Sequence, residues 1–201
     1  MRPATEEEED GCFSFETKEF TAEELKVLGD GVKAEHASAL SFSSLAWYSF
    51  TKNRKTTIVH SNEDYPIFMR ECHTQGESFF KILKPLEPRR EFRFMYIGKK
   101  EADYVNGHHE LMEAYVNSAP NKLPEVVICH GDREAVQCLS KGHRPVWPNT
   151  YCDELTPGIL RRLKSMCEKV CYLAESDEFG QNRAKMIKLL YPEIEIIIDL
   201  L

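Results

Sequence analysis

The run Val126-Val127-Ile128-Cys129-His130-Gly131-Asp132-Arg133-Glu134 constrains the fold of this chain most. Pro124 stands before it, its apolar residues are continuous, and Gly131 breaks it into Ala135-Val136-Gln137-Cys138-Leu139, which reads as a helix. A continuous apolar run, unlike an alternating one, marks a strand buried on both faces, as in a parallel sheet. The arrangement recurs about 45 residues later, where Val170-Cys171-Tyr172-Leu173-Ala174 reads as a strand. Glu175-Ser176-Asp177-Glu178-Phe179-Gly180 follows it, and a helical pattern begins near Gln181. From Pro124 onward the elements alternate: strand 125–130, helix 132–141, short strand 144–147, helix 156–167, strand 169–174, helix 180–190 and strand 193–200. Thr156-Pro157 supplies a start signal for the helix it opens. Strands joined by helices need right-handed crossovers, so this half is α/β, with a mainly parallel sheet flanked by helices.

Ligands of such sheets bind beyond the carboxyl ends of the strands, and both acid-bearing segments fall there. In Glu175-x-Asp177 an extended backbone puts both carboxylates on one face. Paired carboxylates hold Mg²⁺ by hard oxygen ligands and leave waters for substrate phosphates. Alone, the same residues also describe an ordinary acidic loop; the two strand ends together point to a site. His108-His109 does not extend it, because neighbours on a helix point about 100° apart and do not share one ion easily.

The first half reads differently. Thr21-Ala22-Glu23-Glu24 has capping-box spacing, so a helix starts at Ala22 and ends near Gly29 or Gly31, with a short helix over 32–40. Strands are expected over 45–50, 56–60, 65–69, 78–83 and 92–97, punctuated by Gly, Asn, Asp and Pro, with Lys52-Asn53-Arg54-Lys55 as a polar turn. This is a small, mostly antiparallel sheet with a helical entry. The expected organisation is an acidic tail and entry over 1–19, a mixed α+β subdomain over 20–118 closed by a helix around His108 to Tyr115, and the parallel α/β domain over 124–201.

Net charge is −7, but it is polarised. Residues 1–10 hold five acids against one Arg, whereas Lys81, Lys84, Arg89, Arg90, Arg93, Lys99 and Lys100 face only Glu87 and Glu91, a local +5. A phosphate backbone responds to such a local stripe whatever the net charge. Phe92, Phe94 and Tyr96 interleave it; by itself the run reads as a core strand with one exposed Arg, and beside such a stripe it can also be a nucleic-acid surface. The seven Cys are scattered, with no C-x-x-C pair, and read as reduced core thiols that form no zinc site. There is no signal peptide and no apolar run near the roughly 18 residues of a membrane span, so a cytoplasmic protein with no membrane partner is expected.

The second half resembles a Toprim domain, the metal-binding fold shared by DnaG-type primases, topoisomerases and some nucleases. That family's first motif, an apolar strand ending in E-G-x-x-D, stands here as His130-Gly131-Asp132-Arg133-Glu134. Its second, a strand ending in D-x-D with a Gly shortly after, stands as Glu175-Ser176-Asp177-Glu178-Phe179-Gly180, with Ala184 beyond. Over roughly residues 20–201 the chain is similar to the catalytic core of phage-type primase–helicase proteins, in which a mixed subdomain with a basic surface precedes the Toprim half. The run Phe92-Arg93-Phe94-Met95-Tyr96-Ile97-Gly98-Lys99-Lys100, then Tyr104-Val105-Asn106-Gly107-His108-His109-Glu110-Leu111, resembles the segment joining the two.

The resemblance implies a DNA primase: template-directed, metal-dependent synthesis of short RNA primers on single-stranded DNA. Nucleoside triphosphates would be its substrates, and a replicative helicase, in the same or a separate polypeptide, its partner. It implies catalytic roles for His130, Glu134, Glu175 and Asp177, and Mg²⁺ (or Mn²⁺) ligation by Glu175, Asp177, Glu134 and Asp132. Lys99, Lys100 and Arg133 would contact triphosphate oxygens, and Lys81, Lys84, Arg89, Arg90 and Arg93 the template. The motif acids depart from the family pattern: His130 replaces the first acid, Glu134 and Glu175 each replace an Asp, and only Asp177 is unaltered. Imidazole is a poor Mg²⁺ ligand and would serve instead as a proton acceptor, or as the hydrogen-bonding structural residue that a His at a strand end more often is. The resemblance therefore also admits a catalytically degenerate module that binds single-stranded DNA or a helicase. It admits a Toprim nuclease too, which the primase-like first half argues against. The chain stops at Leu201 just after the last strand, as expected of a fragment truncated at the end of its Toprim domain, from a phage or mobile element.

Overall fold

In the computed structural model, which describes residues 11–74, 76–100, 104–148 and 156–198, the capping box forms as its spacing requires. Helix α1 (Ala22–Leu28) opens with Thr21 N–H donating to Glu24 Oε2 at 2.9 Å and Glu24 N–H donating to Thr21 Oγ1 at 3.2 Å. Glu24 is buried, and Ser44 Oγ and Lys18 Nζ, each at 2.9 Å, complete its partners. The following helix α2 (Ala34–Ser38) is shorter than the expected 32–40.

The chain divides into two compact units, Met1–Glu24 with Ser41–Lys100 and Leu25–Leu40 with Glu101–Leu201. The first holds β1 (Phe13–Lys18), β2 (Phe42–Lys52), β3 (Lys55–His60), β4 (Phe68–Cys72), β5 (Phe79–Leu83) and β6 (Phe94–Ile97). These form one antiparallel sheet in the order β1-β2-β4-β5-β6, with β3 also paired to β2. Leu45, Tyr48, Ile67, Met69 and Ile82 make its core. β1 was not expected, although Phe13 and Phe15 alternate with Ser14 and Glu16 in the period of a strand. The strand expected over 92–97 starts only at Phe94, because Arg90–Phe92 winds into a 3₁₀ turn. The one expected over 65–69 starts at Phe68, and Tyr65 makes only an isolated bridge to Asn62.

The second unit contains α3 (His108–Ser118), β7 (Leu123–Ile128), α4 (Asp132–Ser140), β8 (Pro145–Val146), α5 (Pro157–Met166), β9 (Cys167–Ala174), α6 (Glu178–Leu190) and β10 (Glu195–Ile198). The alternation read from Pro124 onward appears element by element. All pairs in the four-stranded sheet β10-β9-β7-β8 are parallel. Val126, Ile128, Val170 and Tyr172 pack with Leu160, Leu163 and Ile187 of the helices in one core. Thr156 caps α5 by accepting from Ile159 N–H, with Pro157 in the first turn.

The helical entry Leu25–Leu40 belongs with this second unit and not with an N-terminal subdomain. Gln137 explains why: its Nε2 donates to Leu28 O at 3.1 Å, and a Cβ on Gly29 would lie 2.2 Å from the same nitrogen. Of the cysteines described, Cys12 is exposed and Cys72, Cys129, Cys138, Cys167 and Cys171 are buried free thiols. Cys152 lies outside the described residues. Burial pushes the Cys167 and Cys171 thiols up to about 11, which leaves them inert as nucleophiles. No described helix is long and apolar enough to cross a membrane.

Candidate functional site

β7 and β9 are neighbours, with Val126 beside Val170 and Ile128 beside Tyr172, so their carboxyl ends emerge side by side. His130, just past β7, is buried, and its ring meets Tyr172 edge-on at 5.2 Å between centroids. Its Nε2 lies 2.7 Å from Leu173 O. A carbonyl only accepts, so Nε2 carries the proton. The ring thus ties the end of β7 to the end of β9. Expected as a proton acceptor, His130 cannot accept at Nε2 while it donates there.

Glu134 sits in the first turn of α4. Its Oε2 accepts from His130 N–H at 2.9 Å, which closes the strand–helix turn. Burial pushes this carboxyl above the usual range; the His130 ring and the backbone N–H groups of His130 and Gly131 pull it back, and the charge of Glu175 pushes it up again. A carboxyl held above its unfolded value favours the folded state most below that unfolded value. The contribution is lost as pH rises through the folded one. Glu175 is half-buried past β9, the strand beside β7.

The other expected ligands are committed to the fold. Asp177 is exposed and is the N-cap of α6, its Oδ1 accepting from Gly180 N–H at 2.7 Å. Asp132 is buried, and its Oδ1 accepts from the Trp147 indole N–H at 3.0 Å. Trp147 is itself enclosed and is held by Asn106 through reciprocal backbone bonds of 2.9 and 3.0 Å. Trp147 was not anticipated as part of this region; the only sequence signal is that a buried indole needs an acceptor. Arg133 is exposed on the same turn of α4 as Glu134. Among the described residues no group of three or more His, Cys, Asp or Glu gathers as a metal cluster. Glu134 and Glu175 stand past the ends of neighbouring strands, and the charge of Glu175 acts on Glu134. These two are the residues that could hold Mg²⁺, which takes one or two carboxylates and completes its shell with water and phosphate oxygens.

The cap reading of Asp177 has a direct test. Asp177→Asn keeps the acceptor and should change unfolding free energy by no more than about 0.5 kcal/mol, whereas Asp177→Ala should cost about 1 kcal/mol. Urea denaturation of the two variants checks this; equal losses would show that the charge matters and not the cap.

The basic stripe lies in the first unit and is reshaped by its sheet. Lys81 lies on β5, between β4 and β6, and is only 4% exposed. Its Nζ stands over the rings of Phe94 and Tyr96, at 5.2 and 5.9 Å. It is therefore not on the surface where the stripe was expected. Lys84 is half-buried, and burial pushes its amino group down. Arg93 is half-buried and donates from Nε to Glu87 O at 2.8 Å. Arg89, Arg90, Lys99 and Lys100 are exposed. The Arg89 guanidinium lies 4.3 Å from the Phe92 ring centroid and Lys100 Nζ 5.1 Å from that of Tyr96. With Phe92 and Phe94 themselves 45% and 39% exposed, the β6 edge presents cations and partly exposed rings together.

No protein-family model and no curated protein matches this chain. Solved structures share its fold. The DnaG primase catalytic domain bound to ssDNA superposes with a TM-score of 0.58 at 10% identity, over 88% of this chain and 66% of that one. The DnaG catalytic core gives 0.57 at 9% identity, over 84% and 61%. A DNA primase domain from Pseudomonas aeruginosa matches 75% of this chain and 48% of its own length, with a TM-score of 0.49 and 12% identity. The chain thus spans between 48% and 66% of these solved chains. At such identities the likeness establishes the fold, that of a primase catalytic core.

Proposed function

We propose that this chain is the catalytic core of a Toprim-type DNA primase of the phage class, which makes short RNA primers on single-stranded DNA. The observation that carries the reading is the placing of Glu134 and Glu175 past the carboxyl ends of adjacent parallel strands. Those two residues would hold Mg²⁺ or Mn²⁺, which when bound neutralises charge on phosphate oxygens. The chain's own groups do the rest. Gly131 is extended, and a Cβ there would meet nothing within 4 Å, so a phosphate has room to approach the backbone at the start of α4. Arg133 offers a guanidinium beside it. His130 fixes the two strand ends. On the β6 edge, Arg89 and Arg90 would neutralise template phosphates while Phe92 and Phe94 stack its bases. A replicative helicase is the expected partner, in the cytoplasm.

One observation favours a second reading. His130 stands where the family's first acid is expected, and its Nε2 is bonded to Leu173 O. A module that holds single-stranded DNA without synthesis would look the same. Incubation of the chain with a single-stranded template, labelled ribonucleotides and Mn²⁺ separates the readings. A primase makes template-dependent oligoribonucleotides, and Glu134→Gln or Glu175→Gln lowers the yield by about 10²-fold or more. Gly131→Ala should lower it while leaving the melting temperature unchanged. Salt-sensitive strand binding with no product supports the second reading, and a shortened template supports a nuclease.

A further inference from the structure

The β2–β3 hairpin has features that the sheet does not need. β2 pairs with β4 only over its first three residues, and further along that edge it pairs with β3, from Trp47↔His60 to Lys52↔Lys55. The last pair closes a two-residue turn, Asn53-Arg54, with φ of 53° and 57°. Such a turn needs both central residues left-handed, which is why Asn-Gly is its preferred sequence. Asn tolerates that conformation; a long side chain such as Arg adopts it at a steric cost. Lys52 and Lys55 face each other directly, and like charges opposite one another weaken a hairpin. No Asp or Glu occurs between residues 45 and 60, in a chain whose net charge is −7. Every residue from Lys52 to Ile58 is exposed.

An unfavourable backbone conformation and an unfavourable charge pair, on three cations at one tip, are local choices against the fold. Such conflicts mark contact surfaces. The chemistry of the tip narrows the partner. Residues 51–58 contain no aromatic side chain, so the tip can hold phosphates but cannot stack bases, unlike Phe92 and Phe94 on the β6 edge. A narrow two-stranded ribbon with cations at its end has the dimensions that the major groove of a DNA duplex admits. We propose that the β2–β3 tip is a binding site for double-stranded DNA, with Lys52, Arg54 and Lys55 on its phosphates. Its cations are other than Arg89 and Arg90 of the single-strand edge, although Lys52 lines one pocket with Met95 and Ile97 of β6, and it is independent of the carboxylate pair.

Fluorescence anisotropy on the full chain tests this, with a labelled DNA duplex of about 20 base pairs and a single strand of the same length, across a salt series. Arg54→Gly relieves the left-handed cost, so its melting temperature should hold or rise while duplex affinity at low salt falls about three- to tenfold. The triple variant Lys52→Thr, Arg54→Gly, Lys55→Thr should reduce the salt slope of duplex binding by about 2–3 and change single-strand affinity less than about twofold. The proposal is overturned if the triple variant binds duplex like the parent, if both probes weaken equally, or if the parent shows no salt-dependent duplex affinity. Arg89→Ala and Phe92→Ala should do the reverse. If they leave single-strand affinity intact, the template reading of the β6 edge fails while the tip assignment stands.

Discussion

Gly107→Ala should destabilise the protein by about 3–5 kcal/mol, a large share of the roughly 5–15 kcal/mol of a typical domain. Gly107 has φ +76°, where a Cβ is strained whatever surrounds it. The added carbon would also lie 2.5 Å from Pro145 O and 2.9 Å from Trp147 Cζ3. Neither neighbour can yield. Pro145 is paired to Val127 in the parallel sheet, and Trp147 is enclosed, bonded to Asp132 through its indole and to Asn106 through its backbone. Gly142 is the control: its φ is +89°, but a Cβ there would meet nothing within 4 Å. Gly142→Ala should therefore cost only the conformational part, about 1 kcal/mol. Urea denaturation of both variants separates the two terms; equal losses would mean that the close approach to Pro145 and Trp147 is not a real constraint.

Gly180→Ala is the second large effect, and it reaches the site. The backbone at Gly180 is ordinary, but a Cβ would lie 2.6 Å from both Glu175 Cβ and Glu175 O and 2.9 Å from Glu175 C. Backbone and Cβ cannot swing aside as the end of a long side chain can. The start of α6 must move off the end of β9, taking the Asp177 cap and Glu175 with it. A stability loss of about 2–4 kcal/mol is expected from the overpacking. If Glu175 serves chemistry, a displacement of about an ångström should cost on the order of 10²-fold in rate, beyond what partial unfolding explains. Activity measured well below the variant's melting temperature separates the two effects. An unchanged melting point would show that α6 does not need to approach Glu175 this closely.

The parallel half was legible because its signals are local. Continuous apolar runs, Thr156-Pro157 and the glycines that follow the strands gave the element order from Pro124 to the last strand. The sheet order and the approach of β7 to β9 depend on tertiary pairing, yet the two acid-bearing strand ends already pointed to one edge. Partnership was not legible. Asp132 and Asp177 read as two more carboxylates in acidic motifs, and only the structure shows one on the Trp147 indole and the other on the Gly180 N–H. Burial was not legible either. Lys81 reads as part of a basic stripe, but its strand lies between two others and its amino group stands over the Phe94 and Tyr96 rings. The place of the helical entry 25–40 was not legible either, because contacts at long sequence separation, Gln137 to Leu28 among them, associate it with the second unit.

Calorimetric titration of the full chain with Mn²⁺ tests most directly whether the two strand ends form one carboxylate site. Micromolar to low-millimolar binding is expected, lost in both Glu134→Gln and Glu175→Gln and retained in Asp177→Asn. Affinity should rise with pH, because the ion competes for Glu134 with a proton that burial holds above the usual carboxylate range. Binding that survives both glutamine variants, or that vanishes in Asp177→Asn alone, would contradict the assignment of the pair.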